Sequence, residues 1–162
     1  MAEYFPASFY LPHQSPMVLV DRVIRVDNEH AHCRVVVSRE SILAPFLNAE
    51  GHLPAWFGIE IIAQTIGVWS GWHEQQNTNR RNHHQTPRPG MLLGGRGYRC
   101  KQAFFPASSQ LDAHVTLLMR DEKIGSFDGE IIVDGESYAA GRLTTYQPDD
   151  NELKQLLEQG KE

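Results

Sequence analysis

The sequence predicts an α+β domain in which an antiparallel sheet curls around one long, buried helix. Three observations carry that prediction. Residues 55–72 are apolar on nearly every helical face, so other elements must cover the segment all round. Two segments rich in β-branched residues precede it, and four more strand-like segments follow it with no helical pattern between them. Strands grouped on either side of a single helix exclude the alternation that builds a parallel βαβ sheet.

Taken in order, the chain leads in through Leu11-Pro12-His13, and residues 17–26 read as a first strand closed by the polar cluster Asp27-Asn28-Glu29. Residues 31–37 set Cys33, Val35 and Val37 against His32, Arg34 and Val36, an alternation that suits a second strand in a hairpin with the first. Pro54 marks the start of the central helix, and the polar residues 74–82 continue or fray its far end. Residues 77–89 carry Asn, Arg, His, Gln and Pro without an apolar period and read as a loop. Strands follow at 97–105, 111–119, 126–133 and 137–146, the last two joined by Asp134-Gly135, a pair suited to the positive φ of a tight hairpin. Beyond them Leu153, Leu156 and Leu157 recur at helical spacing behind Asp150 or Asn151 as a cap, so residues 150–160 read as a short surface helix. A chain of 162 residues, 41% hydrophobic, suits one domain over 1–162 with its core in about 11–146.

Composition narrows the function classes. A formal charge of -5 gives the chain no electrostatic reason to seek a phosphate backbone, so nucleic acid is not an expected partner. Cys33 and Cys100 stand far apart and outside any CxxC spacing, which points to neither zinc nor a disulfide framework and fits a reducing cytoplasm. The start, Met1-Ala2-Glu3-Tyr4-Phe5-Pro6, has no basic stretch before an apolar run, so no signal peptide is expected. The apolar window 55–72 holds Glu60, Gln64 and three glycines, which favours a buried helix over a membrane span.

Glu60 stands out chemically. A carboxylate within so apolar a helix is costly to bury without work or a partner, and a carboxyl group held there is a candidate general acid. The alternative is a glutamate favoured by the helix N-terminus or turned to a dimer interface. His83-His84 lack a supporting cluster of Cys or carboxylates, so a metal site is not expected. Cys100 has no neighbouring signature of an activated thiol and reads as packing.

Several segments, in one order, resemble the bacterial 3-hydroxyacyl-[acyl-carrier-protein] dehydratases. Leu11-Pro12-His13-Gln14-Ser15-Pro16-Met17-Val18-Leu19-Val20-Asp21-Arg22-Val23 is similar to that family's opening motif. Gly58-Ile59-Glu60-Ile61-Ile62-Ala63-Gln64 resembles the start of its central helix, a glycine-bearing lead into Glu-x-x-Ala-Gln. Phe105-Pro106 ahead of Gln110-Leu111, and Gly125-Ser126-Phe127-Asp128-Gly129-Glu130 running into Val133-Asp134-Gly135, are similar to its later strands. Pro54-Ala55-Trp56 leading into the helix and Trp69-Ser70-Gly71-Trp72 leaving it are similar to the dehydratase-like proteins of aryl polyene gene clusters.

The resemblance implies a hot-dog fold, a dimer, and dehydration of 3-hydroxyacyl thioesters carried on an acyl carrier protein to the trans-2-enoyl product. No metal or organic cofactor is implied, since phosphopantetheine arrives with the substrate. Glu60 takes the family's role of protonating the departing hydroxyl, and the backbone of Gly58 that of polarising the thioester carbonyl. Gln64 of the same motif and Trp56 are carried over as substrate contacts; Trp56, Trp69 and Trp72 could line an acyl tunnel, although tryptophans at helical spacing are more often core or dimer contacts. The base is His13, between Pro12 and Pro16, or His52 in Gly51-His52-Leu53-Pro54, which lies closer to the helix than the family's histidine does. Arg80, Arg81, Arg88, Arg96, Arg99 and Lys101 form a basic rim that could dock an acidic carrier protein, or a solvated charge run. Two other readings stay open: a non-catalytic subunit paired with a related dehydratase, and a hot-dog acyl thioesterase.

Overall fold

The structure, a computed structural model, describes residues 4–11, 17–78, 91–121 and 123–146. Its elements are α1 (Ala7–Tyr10), β1 (Arg22–Val26), β2 (His30–Val36), β3 (Leu53–Pro54), α2 (Phe57–Thr78), β4 (Met91–Cys100), β5 (Phe104–Phe105), β6 (Gln110–Arg120), β7 (Ile124–Val133) and β8 (Glu136–Tyr146), with a 3-10 turn at Ala44–Phe46. Six strands form one sheet in the order β1-β2-β6-β7-β8-β4, every neighbouring pair antiparallel. β3 and β5 make a separate two-stranded ladder beside the start of α2.

The period-two patterns decide which face meets the helix. Ala31, Cys33 and Val35 of β2, Leu111, Ala113 and Val115 of β6, and Phe127, Ile131 and Val133 of β7 are buried, and they form one core with Ile61, Ile62, Ile66, Val68 and Trp69 of α2. Burying each large apolar side chain contributes about 1.5–3 kcal/mol, so this layer holds the sheet around the helix. Burial also pushes the Cys33 thiol up to about 12, which leaves it a packing group. Asp134 and Gly135 both have positive φ, 51° and 80°, as a tight hairpin turn between β7 and β8 requires.

Three expectations need correction. The predicted strand 17–26 joins the ladder only from Arg22, because the Leu19 N–H donates to the side chain of Gln64 instead of to a neighbouring strand. The strand expected from Gly97 begins at Met91, and it ends at Cys100, with Phe104–Phe105 paired elsewhere. Gly94, Gly95 and Gly97 weaken its sequence signal, yet the ladder with β8 tolerates them by absorbing an extra residue at two places, between Leu92 and Gly94 and between Arg96 and Arg99. The helix runs through residues 77 and 78, as the expected continuation of its polar end allows, so the loop read from residue 77 starts later. The rest of that loop and the predicted helix at 150–160 lie outside the described residues.

Two histidines couple this fold to pH. His73 packs between Trp69 and Trp72, with ring centroids at 4.1 and 5.0 Å, and its Nδ1 is buried with no hydrogen-bond partner among the described residues. His114 stacks on His32 at 3.9 Å. Burial, and then Arg120 beside His73 and His32 beside His114, hold both imidazoles below their ordinary range. The unfolded chain therefore takes up these protons first as pH falls through about 6.5, and stability declines from there down through the folded-state values. Asp112, raised by burial but pulled further down by bonds from Arg34, His32 and Gln110, adds a separate loss at the lower pH where that carboxylate protonates. We expect Tm to fall between pH 7.5 and 5.5, and His114→Gln to flatten that slope in a thermal melt series; a Tm constant across the range would refute the coupling.

Candidate active site

Pro54 is held in β3 against Phe104, and Ala55 and Trp56 turn the chain into α2. Four backbone amides at a helix start lack intrahelical partners, which makes such a start favourable for negative charge. Glu60 sits in this first turn and is half-buried. One turn on, Gln64 is 1% exposed and has three bonds. Its Oε1 accepts the Leu19 N–H at 2.7 Å, while its Nε2 donates to the Met17 carbonyl at 2.7 Å and to Glu60 Oε1 at 3.3 Å. A single amide thus ties the carboxylate to the segment that follows Pro16. His13 itself lies outside the described residues.

His52 is described, and its ring is committed. Asn48 Oδ1 accepts the His52 backbone N–H at 3.0 Å, the ring stacks on Phe104 at 4.2 Å, and Nδ1 accepts the Ala107 N–H at 2.8 Å. A ring nitrogen that accepts from an amide carries no proton, so the neutral ring bears its proton on Nε2. In this arrangement Nε2 is a donor and has no lone pair with which to take a proton from carbon.

Gly58 is buried, and its N–H donates to the Ala55 carbonyl at 3.0 Å, so an acyl oxygen at that amide must share or displace this bond. Trp56 is 68% exposed and walls off nothing within a single chain. Trp69 is core: it is buried, its Nε1–H donates to the Asn28 carbonyl at 3.2 Å, and Phe127 meets it edge-on at 5.2 Å. Cys100 also packs, its thiol directed at the Ala55 carbonyl at 3.6 Å. Of the basic rim, Arg80, Arg81 and Arg88 fall outside the described residues. Arg96 and Arg99 line a cleft of about 490 Å³ on the face of the sheet away from α2, and Lys101 bonds to Glu136. The clamp formed by Gln64 was not anticipated; the signal for it was a fully polar residue at a helix position that periodicity places in the core.

The ApeP-like family, described as ApeP dehydratase, matches residues 5–158. The chain belongs to the ApeP-like dehydratase family. A solved structure described as the dehydratase heterocomplex ApeI:P from Xenorhabdus doucetiae is 51% identical, covers 96% of this chain and 99% of that one, and has a TM-score of 0.87. The 3-hydroxyacyl-[acyl-carrier-protein] dehydratase FabZ of Streptococcus pyogenes serotype M3 is 30% identical over 138 residues, 83% of this chain and 90% of that protein. The PaaI protein of E. coli, at 13% identity with a TM-score of 0.57 over 78% of this chain and 82% of its own, shares the hot-dog fold alone. Membership of the ApeP-like family makes this chain a hydro-lyase, and no described helix is long and apolar enough to cross a membrane.

Proposed function

We propose that this ApeP-like protein removes water from 3-hydroxyacyl thioesters borne on an acyl carrier protein, giving the trans-2-enoyl thioester, in aryl polyene assembly. The observation that carries the reading is the Gln64 bridge between Glu60 and the segment following Pro16. A base takes the proton from C2, the electron pair forms the C2–C3 double bond, and the C3 hydroxyl accepts the Glu60 proton and leaves as water. Proton exchange with solvent resets both groups. Negative charge that gathers on the thioester oxygen meets the amides at the start of α2, Gly58 among them.

His13 is the base in this reading. It lies four positions before Met17, a reach of about 14 Å for extended chain, and Met17 is bonded to the amide that also holds Glu60. The commitment of His52 Nδ1 to Ala107 supports the same choice. Because a solved relative is described as the dehydratase heterocomplex ApeI:P, assembly with a second, related hot-dog subunit is proposed ahead of a homodimer. Trp56, exposed on one chain, then has a partner surface or a docked acyl group to meet. Arg96 and Arg99 remain candidates for contact with an acidic carrier.

The test is turnover of a 3-hydroxyacyl carrier-protein substrate, with the protein alone and combined with its related subunit, followed by product analysis. His13→Ala is expected to lose about 10²–10⁴-fold in kcat, the contribution of a positioned general base, and His52→Ala less than about tenfold. A free acid as product would replace dehydration by thioester hydrolysis. Full activity of a complex in which this chain carries both Glu60→Gln and His13→Ala would leave it a non-catalytic subunit.

A further inference from the structure

Three glycines from three elements converge on one side chain, Tyr98 of β4. Gly97 has a φ of +67°, and at that point β4 spends three residues, from Arg96 to Arg99, where β8 spends two, from Arg142 to Ala140. The extra residue resets the alternation of the strand. Arg96 and Arg99 both line the outer cleft, while Tyr98 turns inward to the start of α2. Gly141 of β8 makes room for the base of that side chain: a Cβ there would lie 3.1 Å from Tyr98 Cα and 3.3 Å from its Cβ and Cδ1. Gly58 makes room for the far end, since a Cβ on Gly58 would lie 2.0 Å from the Tyr98 hydroxyl. That hydroxyl donates to the Ala55 carbonyl at 2.7 Å, the same oxygen that receives the Gly58 N–H at 3.0 Å.

We infer that Tyr98 is a positioning residue: its hydroxyl fixes the Ala55 peptide, and through it sets the Gly58 amide and the first turn that carries Glu60. The O–H bond at 2.7 Å is the shortest one on that carbonyl, while the Cys100 thiol at 3.6 Å is a weak donor and no substitute. Burial, together with the neighbouring Cys100, holds the phenol above its ordinary range, so it stays a donor throughout any assay pH. The arrangement also explains why glycine stands at 58, where a loss of backbone freedom would otherwise favour another residue at a helix start. Its kinetic consequence rests on the dehydratase reading above; its structural consequence does not.

The test is Tyr98→Phe, which removes only the hydroxyl, read in two ways. Hydrogen exchange at the amides of residues 58–60 should speed up about tenfold or more, with the remainder of α2 unchanged; unaltered exchange would overturn the inference whatever the activity. In turnover by the assembled enzyme, kcat should fall about tenfold with KM within about twofold, and an unchanged kcat would overturn the link to chemistry. A wild type that turns over nothing while exchange quickens in the variant would refute the dehydratase reading and leave the hold on the helix standing. As a check that does not depend on activity, Gly58→Ala should lower Tm sharply, and adding Tyr98→Phe should restore part of the loss, because Phe105 Cζ at 3.1 Å and Ile131 Cδ1 at 3.2 Å remain close. A double variant no more stable than Gly58→Ala alone would show that the hydroxyl is not what occupies that space.

Discussion

Glu60→Gln should cost at least about a thousandfold in kcat while leaving the protein folded. The substitution keeps the shape of the side chain and an oxygen that can still accept from Gln64 Nε2, so the clamp at 3.3 Å has a partner in the variant. What it removes is the proton that the departing hydroxyl needs, and a positioned acid accounts for about 10²–10⁴ of rate. The measurement is turnover of the carrier-bound 3-hydroxyacyl substrate, with Tm as the check on folding. A second readout separates the acid from the base. In D2O, exchange at C2 needs the base but no departing hydroxyl, so a variant that exchanges C2 protons without forming enoyl product assigns Glu60 to the later bond-breaking event. Turnover near the wild-type level in Glu60→Gln would end the case for Glu60 as the acid.

The parts of this molecule that were legible in the sequence are those governed by one periodicity at a time. Residues 31–37 alternate because one sheet face meets α2 and the other meets water, and β2 follows that pattern, with Ala31, Cys33 and Val35 buried. The helix was legible for the opposite reason: enclosed by the sheet, it needs no polar stripe. Where glycine replaced side chains the pattern fell silent. β4 is ten residues long, yet Gly94, Gly95 and Gly97 deny it a strand-like composition, and their purpose becomes visible only once β8, α2 and the Tyr98 ring are seen packed against them. Residues 17–20 failed differently. Val18, Leu19 and Val20 have the composition of a strand and the burial of one, but Leu19 gives its N–H to a side chain from a helix 45 positions away. Long-range bonds of this kind leave no local trace.

The site divides in the same manner. Glu60 could be singled out from the cost of a carboxylate in an apolar helix, and the Glu-x-x-Ala-Gln resemblance gave it a role. The sequence offered His13 and His52 as candidate bases, with His13 preferred, but it could not show which nitrogen of the His52 ring is engaged. For His52 that is decided by Ala107, which is 55 residues distant in the chain. Tyr98 had no signal of its own; only the coincidence of a bulge and two close approaches marks it.

Gln64→Ala should produce the second large effect, on stability and activity together. The side chain is buried, and its loss leaves the Leu19 N–H and the Met17 carbonyl without the partners they bond at 2.7 Å. Each stranded buried backbone group costs about 1–3 kcal/mol, so the variant should lose about 3 kcal/mol or more, with a further contribution from the cavity. For a domain of this size 1 kcal/mol corresponds to about 2–4 °C, so Tm should drop by about 10 °C. Activity should fall with it, because the segment following Pro16 is released from Glu60. Gln64→Glu distinguishes the clamp from mere packing. It preserves the volume and an acceptor for Leu19, but it loses the donations to Met17 and Glu60 and sets a second carboxyl one turn from the first. If the amide works by holding two pieces of the site together, Gln64→Glu should lose at least as much kcat as Gln64→Ala, and it should melt no higher, because a carboxylate buried there faces the Met17 carbonyl and Glu60. A Glu variant as active as the wild type would mean that Gln64 merely fills space, and the support that its bridge gives to His13 would go with it.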